Sequence, residues 1–283
     1  VSLATGYVLQ LGELKLVGYS IAGTSTSIAF PEADVLFDVA QGLPYQTPFN
    51  TVLLTHAHMD HASGLPYLIS QKSMQQRPKP IIYMPKAAID PLTRLMDIWH
   101  EIDEYKYQFE FRHVAFGEEI PLKAGYFAKA FPTYHRIPSQ GYTVYRRRKK
   151  LKNQYQDLAK SNPQRLAELR RQGEELEETV EENLLSFTGD TKIEFLQNPD
   201  ARRSKVLCME VTYWDSKKSV ANAREWGHIH FDEFLEALPK IEAERVVLIH
   251  VSARHSSKEV REIIEARVPE HLKPKLVLFP RPI

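Results

Sequence analysis

Three histidines and one aspartate fall within six consecutive positions, His56-Ala57-His58-Met59-Asp60-His61, in a chain that holds only eleven histidines. Neutral imidazole and carboxylate are the usual protein ligands of zinc and similar divalent ions, and catalytic sites of this kind keep one position open for water. In an extended segment, side chains two apart point the same way. His56 and His58 can therefore close on one ion, while Asp60 and His61 sit just beyond and can face a second. A loop cap or a satisfied polar residue accounts for a single histidine; three beside an aspartate point to metal.

The element that must carry this stretch precedes it. Val52, Leu53 and Leu54 form a short apolar run with Thr51 and Thr55 at its ends, which predicts a buried strand with the histidines in a loop at its carboxyl end. Four further residues of metal- or proton-handling type also fall at strand ends or turns. His135 stands between "AKAFPTY" and "RIPSQGYTV", Asp190 in the Gly-Asp turn of "LLSFTGDT", His228 in "REWGHIHFDEF" at a helix start, and His250 at the end of "RVVLIH". Taken singly, each has a plain structural reading. Asp190 suits a turn, and His228 or His230 suits a helix cap.

Alternating strand-like and helix-like stretches surround these positions. "DVLFDVAQG", "KPIIYMP", "KVLCMEVTYW", "RVVLIHVS" and "KLVLFP" read as strands. "GLPYLISQKSMQQ", "FDEFLEALPKI" and "SKEVREIIEARV" read as helices. "DPLTRLMDIWHEIDEY" (90–105) predicts a helix opening at Asp90-Pro91, with Leu92, Leu95, Met96 and Trp99 on one face. Two sets of strands with helices outside give a layered α/β sandwich. No clean linker interrupts it, so one domain over 1–283 is expected.

Composition bounds the function. Lys and Arg total 37 against 36 Asp and Glu, so no global field draws the protein to nucleic acid, although a local patch can. The single cysteine, Cys208, excludes an internal disulfide framework and a cysteine-rich metal site, and it suits a reducing compartment. No run approaches the ~20 apolar residues of a membrane span. A cytoplasmic location follows, with a removed organellar leader left open because the first residue is Val1.

Residues 146–182 break the pattern. They open with "RRRKKLK", close with "EELEETVEE", and carry ten basic against eight acidic residues. Leu151, Tyr155 and Leu158 form one narrow apolar stripe, and Leu166, Leu169, Leu176 and Val180 form another. The expectation is a helical hairpin turning at 161–163, with Ser161 or Asn162 as cap and Pro163 in the first turn. It serves either as a basic arm for RNA or as a hairpin in which the two charge runs neutralise each other.

The motifs together resemble the metallo-β-lactamase-fold hydrolases, and within them ribonuclease Z, the endonuclease that trims tRNA 3′ ends. The resemblance spans most of the chain: "HAHMDH" with the following "GLP", His135 with "PSQGY", "FTGDT", "EVTY" at 210–213, "GH" at 227–228 and "HVSAR" at 250–254. It implies an αβ/βα four-layer sandwich with the 146–182 segment inserted. It also implies two divalent ions, zinc first with Mn2+ or Fe2+ as alternatives. His56, His58 and His135 would hold one, Asp60, His61 and His250 the other, and Asp190 would bridge them. The sequence departs from the family at Met84-Pro85 for Gly-Pro, at His230 for Thr, at His255 for Tyr, and in its charged arm.

The implied chemistry agrees with the residue types. Two ions lower the pKa of a shared water and stabilise charge on a phosphoryl oxygen. Asp60, as a ligand or beside the water, orients it and takes its proton. His228, paired with Glu210, protonates the leaving oxygen, and the fork of Arg254 suits a phosphate. The expected substrate is RNA, a tRNA precursor; the alternative is a small phosphodiester or ester. A homodimer is a further expectation. A non-catalytic binding module would not need Asp60, Asp190 and five candidate histidine ligands.

Overall fold

The structure is a computed structural model that describes residues 5–281. The expected 1–283 domain therefore includes six terminal residues that lie outside the described ones. The first half builds one seven-stranded sheet in chain order: β1 (Tyr7–Leu11), β2 (Leu14–Ile21), β3 (Ser25–Phe30), β4 (Val35–Phe37), β5 (Thr51–Leu53), β6 (Ile81–Tyr83) and β7 (Glu110–Arg112). The second half builds another: β8 (Glu119–Pro121), β9 (Tyr126–Pro132), β10 (Gln140–Leu151), β11 (Glu177–Phe187), β12 (Val206–Glu210), β13 (Arg245–Ile249) and β14 (Leu276–Leu278). In each sheet the earlier strands pair antiparallel and the last four parallel.

The continuous apolar runs follow from burial on both faces. Phe37 and Leu53 point into the space between the sheets with Phe187, Cys208 and Val247, and the Phe37 and Phe187 rings stack at 4.7 Å. Their neighbours Leu36 and Val52 point outward onto α2 (Leu65–Met74) and α3 (Lys86–Ile102), which follow the one-turn α1 (Met59–Ala62). On the other side Leu207, Val246 and Leu248 meet α8 (Phe231–Ala237) and α9 (Ser257–Arg267). The four layers are thus helix, sheet, sheet, helix. Between them the chain adds α4 (Asn153–Ser161), α5 (Pro163–Arg171), α6 (Pro199–Arg203) and α7 (Val220–Glu225).

Two local expectations need correction. The helix α3 begins at Lys86 behind Pro85, so Pro91 lies inside it rather than at its start. Only one ladder bond is lost there, because the missing N–H falls just past the first turn. Leu95 and Trp99 do not share the inward face with Leu92 and Met96; each is 38% exposed.

The 146–182 segment is helical only at its tip. The helices α4 and α5 turn at Asn162, whose side chain accepts from the Arg165 amide. Its flanks, 146–151 and 177–182, are not helices but the outer ends of β10 and β11, paired from Tyr142↔Phe187 to Leu151↔Glu177 with one register shift between Val144 and Tyr145. Five consecutive cations would repel along a helix. Extended, they lie across from the acidic run, which is the stabilising cross-strand pairing. Arg146 and Arg148 reach Glu182, and Arg147 reaches Glu119 and Glu181 while covering the Phe127 ring at 4.4 Å.

Candidate metal centre

Every candidate ligand stands at the carboxyl end of a strand, where both sheets open toward the same edge. β5 leads through Leu54 and Thr55 to His56 and His58. The loop expected next is partly a helical turn, because the His61 and Ala62 amides both bond the His58 carbonyl. This turn, α1, carries Asp60 and His61. β9 leads to His135, β11 to Asp190, β12 to Glu210, and β13 to His250.

The side chains form two sets. His56, His58, His135 and Asp190 bring one donor atom each within 4.8 Å of one another, and so do Asp60, His61, Asp190 and His250. Asp190 belongs to both. Its Oδ2 lies 3.6 Å from His56 Nε2, whereas its Oδ1 lies 3.4 Å from His61 Nε2 and 3.3 Å from His250 Nε2. Within the sets, His135 Nε2 and His58 Nδ1 are 3.1 Å apart, and His61 Nε2 and His250 Nε2 are 3.4 Å apart.

The outer ring nitrogens decide which inner lone pairs are free. His135 Nδ1 donates to the Gly227 carbonyl at 2.8 Å, and His61 Nδ1 donates to Asp38 Oδ2 at 2.7 Å. Thr55 Oγ1 donates to Asp38 and Thr212 Oγ1 donates to Glu210. With their protons committed, the two hydroxyls accept from His56 Nδ1 and His250 Nδ1, each at 3.0 Å. When neutral, His56, His135 and His250 are therefore held as tautomers with Nε2 bare toward the centre, and His61 joins them once its Nε2 gives up a proton. His56 Nε2 and Asp190 Oδ1 are buried and have no hydrogen-bond partner. Such orphaned acceptors are costly unless something positive meets them. A donor set of imidazole nitrogens and carboxylate oxygens fits divalent ions of the zinc type.

The charges respond to the same crowding. Burial, more than any neighbouring charge, lowers the affinity of His56 and His135 for a proton, which suits them as neutral ligands. Burial also opposes the charged form of His61, but Asp190 and Asp38 outweigh it and raise its pKa well above the usual value. For Asp60, burial works upward, yet the adjoining His250 and His61 rings, when they carry protons toward it, pull it to about 2.

Local backbone explains the close approaches. Gly189 has φ +59, and a Cβ there would fall 2.4 Å from Thr55 Oγ1, so only glycine lets the Asp190 turn settle against the His56 strand. A Cβ on Gly64 would meet the Gly42 amide nitrogen at 2.0 Å, which explains the glycine after the histidine run. His250 itself has φ +56, a conformation that costs roughly 1–2 kcal/mol for a side chain of this kind. Ser20 Oγ holds it by accepting from its amide at 2.9 Å.

Glu210 and His228 stand beside both sets. The buried Glu210 accepts from His228 Nδ1 at 2.9 Å, the Thr191 amide at 2.8 Å, Thr212 Oγ1 at 2.6 Å and the Ile229 amide at 3.3 Å. Four donors fill a carboxylate, so Glu210 is spent on its neighbours and does not suit a metal, although it clusters with His228 and His250. Burial lowers the His228 pKa, but the Glu210 charge and hydrogen bond override it and push it up to about 9. His230 is different: its Nδ1 accepts from the Asp232 amide, capping α8, and its Nε2 donates to the Asp215 carbonyl. Arg254 is exposed, 3.9 Å from Asp215 and 6.0 Å above the Tyr213 ring, so it borders the donor sets rather than joining them.

Sequence reading missed the supporting residues. Asp38, Thr55, Thr212 and the Gly227 carbonyl set the tautomers, and the Gly23 amide donates to Asp60 Oδ2 at 2.8 Å. A signal existed for Asp38 alone, a carboxylate closing the apolar strand β4. The "PSQGY" tyrosine, Tyr142, has a structural role: its buried hydroxyl bonds the Leu54 and Tyr83 carbonyls and ties the two sheets behind the histidine loop.

Among known proteins, tRNase Z TRZ1 of Arabidopsis thaliana is 32% identical over 92% of this chain and 93% of its own length. The chloroplastic tRNase Z TRZ2 of the same plant is 30% identical over 90% of this chain and 72% of its length. The structure of the short form of human tRNase Z superposes with a TM-score of 0.57, covering 99% of this chain and 95% of that one at 18% identity. That likeness concerns the metallo-β-lactamase fold. A sequence model described as Anti-Pycsar protein Apyc1 matches residues 22–152, less than half the chain.

Proposed function

The chain belongs to the tRNase Z family, and we propose that it is a metal-dependent endoribonuclease hydrolysing precursor tRNA at its 3′ end. The observation that carries this reading is Asp190, placed between two donor sets with one oxygen toward each. We read two ions per chain, zinc first. His56 Nε2, His58 Nδ1 and His135 Nε2 would hold one, and His61 Nε2, His250 Nε2 and Asp60 the other. When bound, such ions lower the pKa of a shared water and stabilise charge on a phosphoryl oxygen.

The chain's own residues supply the rest. Asp60, pulled to about 2, suits holding an ion and orienting the water better than keeping a proton. His228 carries a proton at neutral pH, because its pKa is pushed up to about 9, and gives it from Nε2 to the leaving oxygen. Glu210 anchors Nδ1 of that ring. Arg254 exchanges its loose contact with Asp215 for a substrate phosphate. The decisive experiment combines metal analysis with cleavage of a 3′-extended tRNA and of bis(p-nitrophenyl) phosphate. Hydrolysis of the diester without cleavage of the tRNA would move the substrate to the small-molecule class.

The arginines at the base of the arm are spent on glutamates, so we assign them to the hairpin. Arg146→Ala/Arg147→Ala/Arg148→Ala is expected to lower the melting temperature and to leave tRNA affinity and its salt slope unchanged. A flatter salt slope in that variant would restore the arm as an RNA contact. The functional unit is read as a homodimer, because Leu95, Ile98, Trp99 and Ile102 expose a continuous apolar stripe along α3. Light scattering is expected to give twice the chain mass; a monomer at micromolar concentration removes this reading. Among the described residues no helix is long and apolar enough to cross a membrane. A cytoplasmic site of action, in keeping with the buried Cys208 thiol, is a proposal that cell fractionation checks.

A further inference from the structure

We propose that a groove beside His135, walled by Lys86, His113, Phe116, Tyr134, Arg136 and Lys192, binds a single-stranded stretch of RNA adjoining the scissile phosphate. The inference rests on the reading of the site as an endoribonuclease and extends it to a named subsite.

The groove has a volume of about 540 Å³ and contains His135 in its wall, so it opens directly onto the first donor set. None of its lining residues is acidic. Lys86, Arg136 and Lys192 make no ion pair among the described residues. What sets them apart is that they line one groove without a carboxylate in its wall, whereas the three arginines at the base of the arm are each paired with glutamate. Three unopposed cations beside a phosphodiester site are what a polyanion requires. The amino end of α3 adds to them: Pro85 and Lys86 lie in the wall, no side chain caps this helix, and although the Ala88 amide bonds the Pro85 carbonyl, those of Lys86 and Ala87 are left to meet an oxyanion.

The aromatic residues give the other half of the signature. Phe116 is 56% exposed and Tyr134 39% exposed. Tyr134 is not loose: its amide donates to Thr191 Oγ1 at 3.0 Å, and its carbonyl accepts from the Lys192 amide at 3.0 Å. Its backbone is clamped between the turn that carries His135 and the turn that carries Asp190, which fixes the point from which the ring is offered to a base. Alternating cations and stacking rings along an open groove bind single strands with little preference for base identity, because every base has a π-face. Arg136 lies 4.4 Å from the Trp226 ring and extends the same surface toward His228.

The test is fluorescence anisotropy with a short single-stranded oligoribonucleotide, comparing wild type with Lys86→Ala/Lys192→Ala and, separately, with Phe116→Ala. The double variant is expected to bind at least 10-fold more weakly, with a log–log salt slope shallower by about 1.4 for two lost phosphate contacts. Phe116→Ala is expected to weaken binding without changing the slope. Melting temperature and metal content near those of wild type confirm that the variants fold. Wild-type protein that does not bind the oligonucleotide, or a double variant that binds it equally with the same slope, overturns the subsite. The two readings separate. Cleavage of extended tRNA with no effect of the lysines removes the groove and keeps the endoribonuclease. Binding that depends on the lysines without tRNA cleavage does the reverse.

Discussion

Asp190→Asn is expected to reduce metal content from about two ions per chain to about one, and to abolish most turnover on RNA and on a small diester together. The carboxylate stands between two imidazole sets with Oδ1 at 3.3 and 3.4 Å from His250 and His61 and Oδ2 at 3.6 Å from His56. Asparagine keeps the shape and loses the symmetry. It offers one acceptor and presents an NH₂ group where a second acceptor stood. Whichever way it turns, one set loses its carboxylate oxygen, and both lose the negative charge they had in common. The loss should exceed the about 10- to 100-fold that removal of a residue merely supporting a ligand costs. Folding should weaken as well: burial opposes the Asp190 charge, but His250 and His61 outweigh it and hold its pKa well below the usual value, and removing one partner of a buried pair leaves the others uncompensated. Elemental analysis, kcat and a melting curve on one preparation decide it. Two retained ions with wild-type turnover would defeat the shared-carboxylate reading.

The residues expected at this centre were visible because their chemistry is rare where they stand. An imidazole ending an apolar strand, as His250 ends β13, has no packing reason to be there. Three histidines in six positions have even less. All seven expected metal-site residues fall into the two sets, and the strands that deliver them announce themselves by runs buried on both faces. The supporting residues were hidden for the opposite reason. Asp38, Thr55 and Thr212 are ordinary residue types whose work is a hydrogen bond to a ring nitrogen, and Asp38 reaches its partner His61 across 23 positions. No local pattern encodes such a pairing.

The elements misread were those in which local signals compete. Pro91 marks a helix start by composition, yet α3 begins at Lys86 because Pro85 already sets the backbone and the helix tolerates one missing bond. The strands β7 and β8 have three residues each, too few for any periodicity to show. In the arm, the apolar positions suit a helix and the charges suit a strand. The charges decide it up to residue 151, since Arg146, Arg147 and Arg148 each gain a glutamate partner by continuing the ladder of β10 and β11.

His228→Ala is expected to leave metal content intact and to lower turnover by about 10²- to 10⁴-fold, the usual worth of a positioned general acid. The neighbouring histidine gives the control. His228 Nδ1 is fixed on Glu210 at 2.9 Å, and its ring lies 5.0 Å from that of His135 and 5.4 Å from that of His250, so its free edge belongs to the reaction space. His230, two residues on, spends both nitrogens on the start of α8 and on the Asp215 carbonyl, and is 3% exposed. His230→Ala should therefore destabilise the fold by ~1 kcal/mol, as loss of a cap does, with kcat near wild type. Glu210→Gln separates position from charge. It keeps a hydrogen bond to Nδ1 but no longer favours the imidazolium, so its kcat should fall while metal content holds. If His230→Ala proves the more damaging to kcat at equal metal content, the acid has been assigned to the wrong histidine, and the Glu210 pairing would be structural.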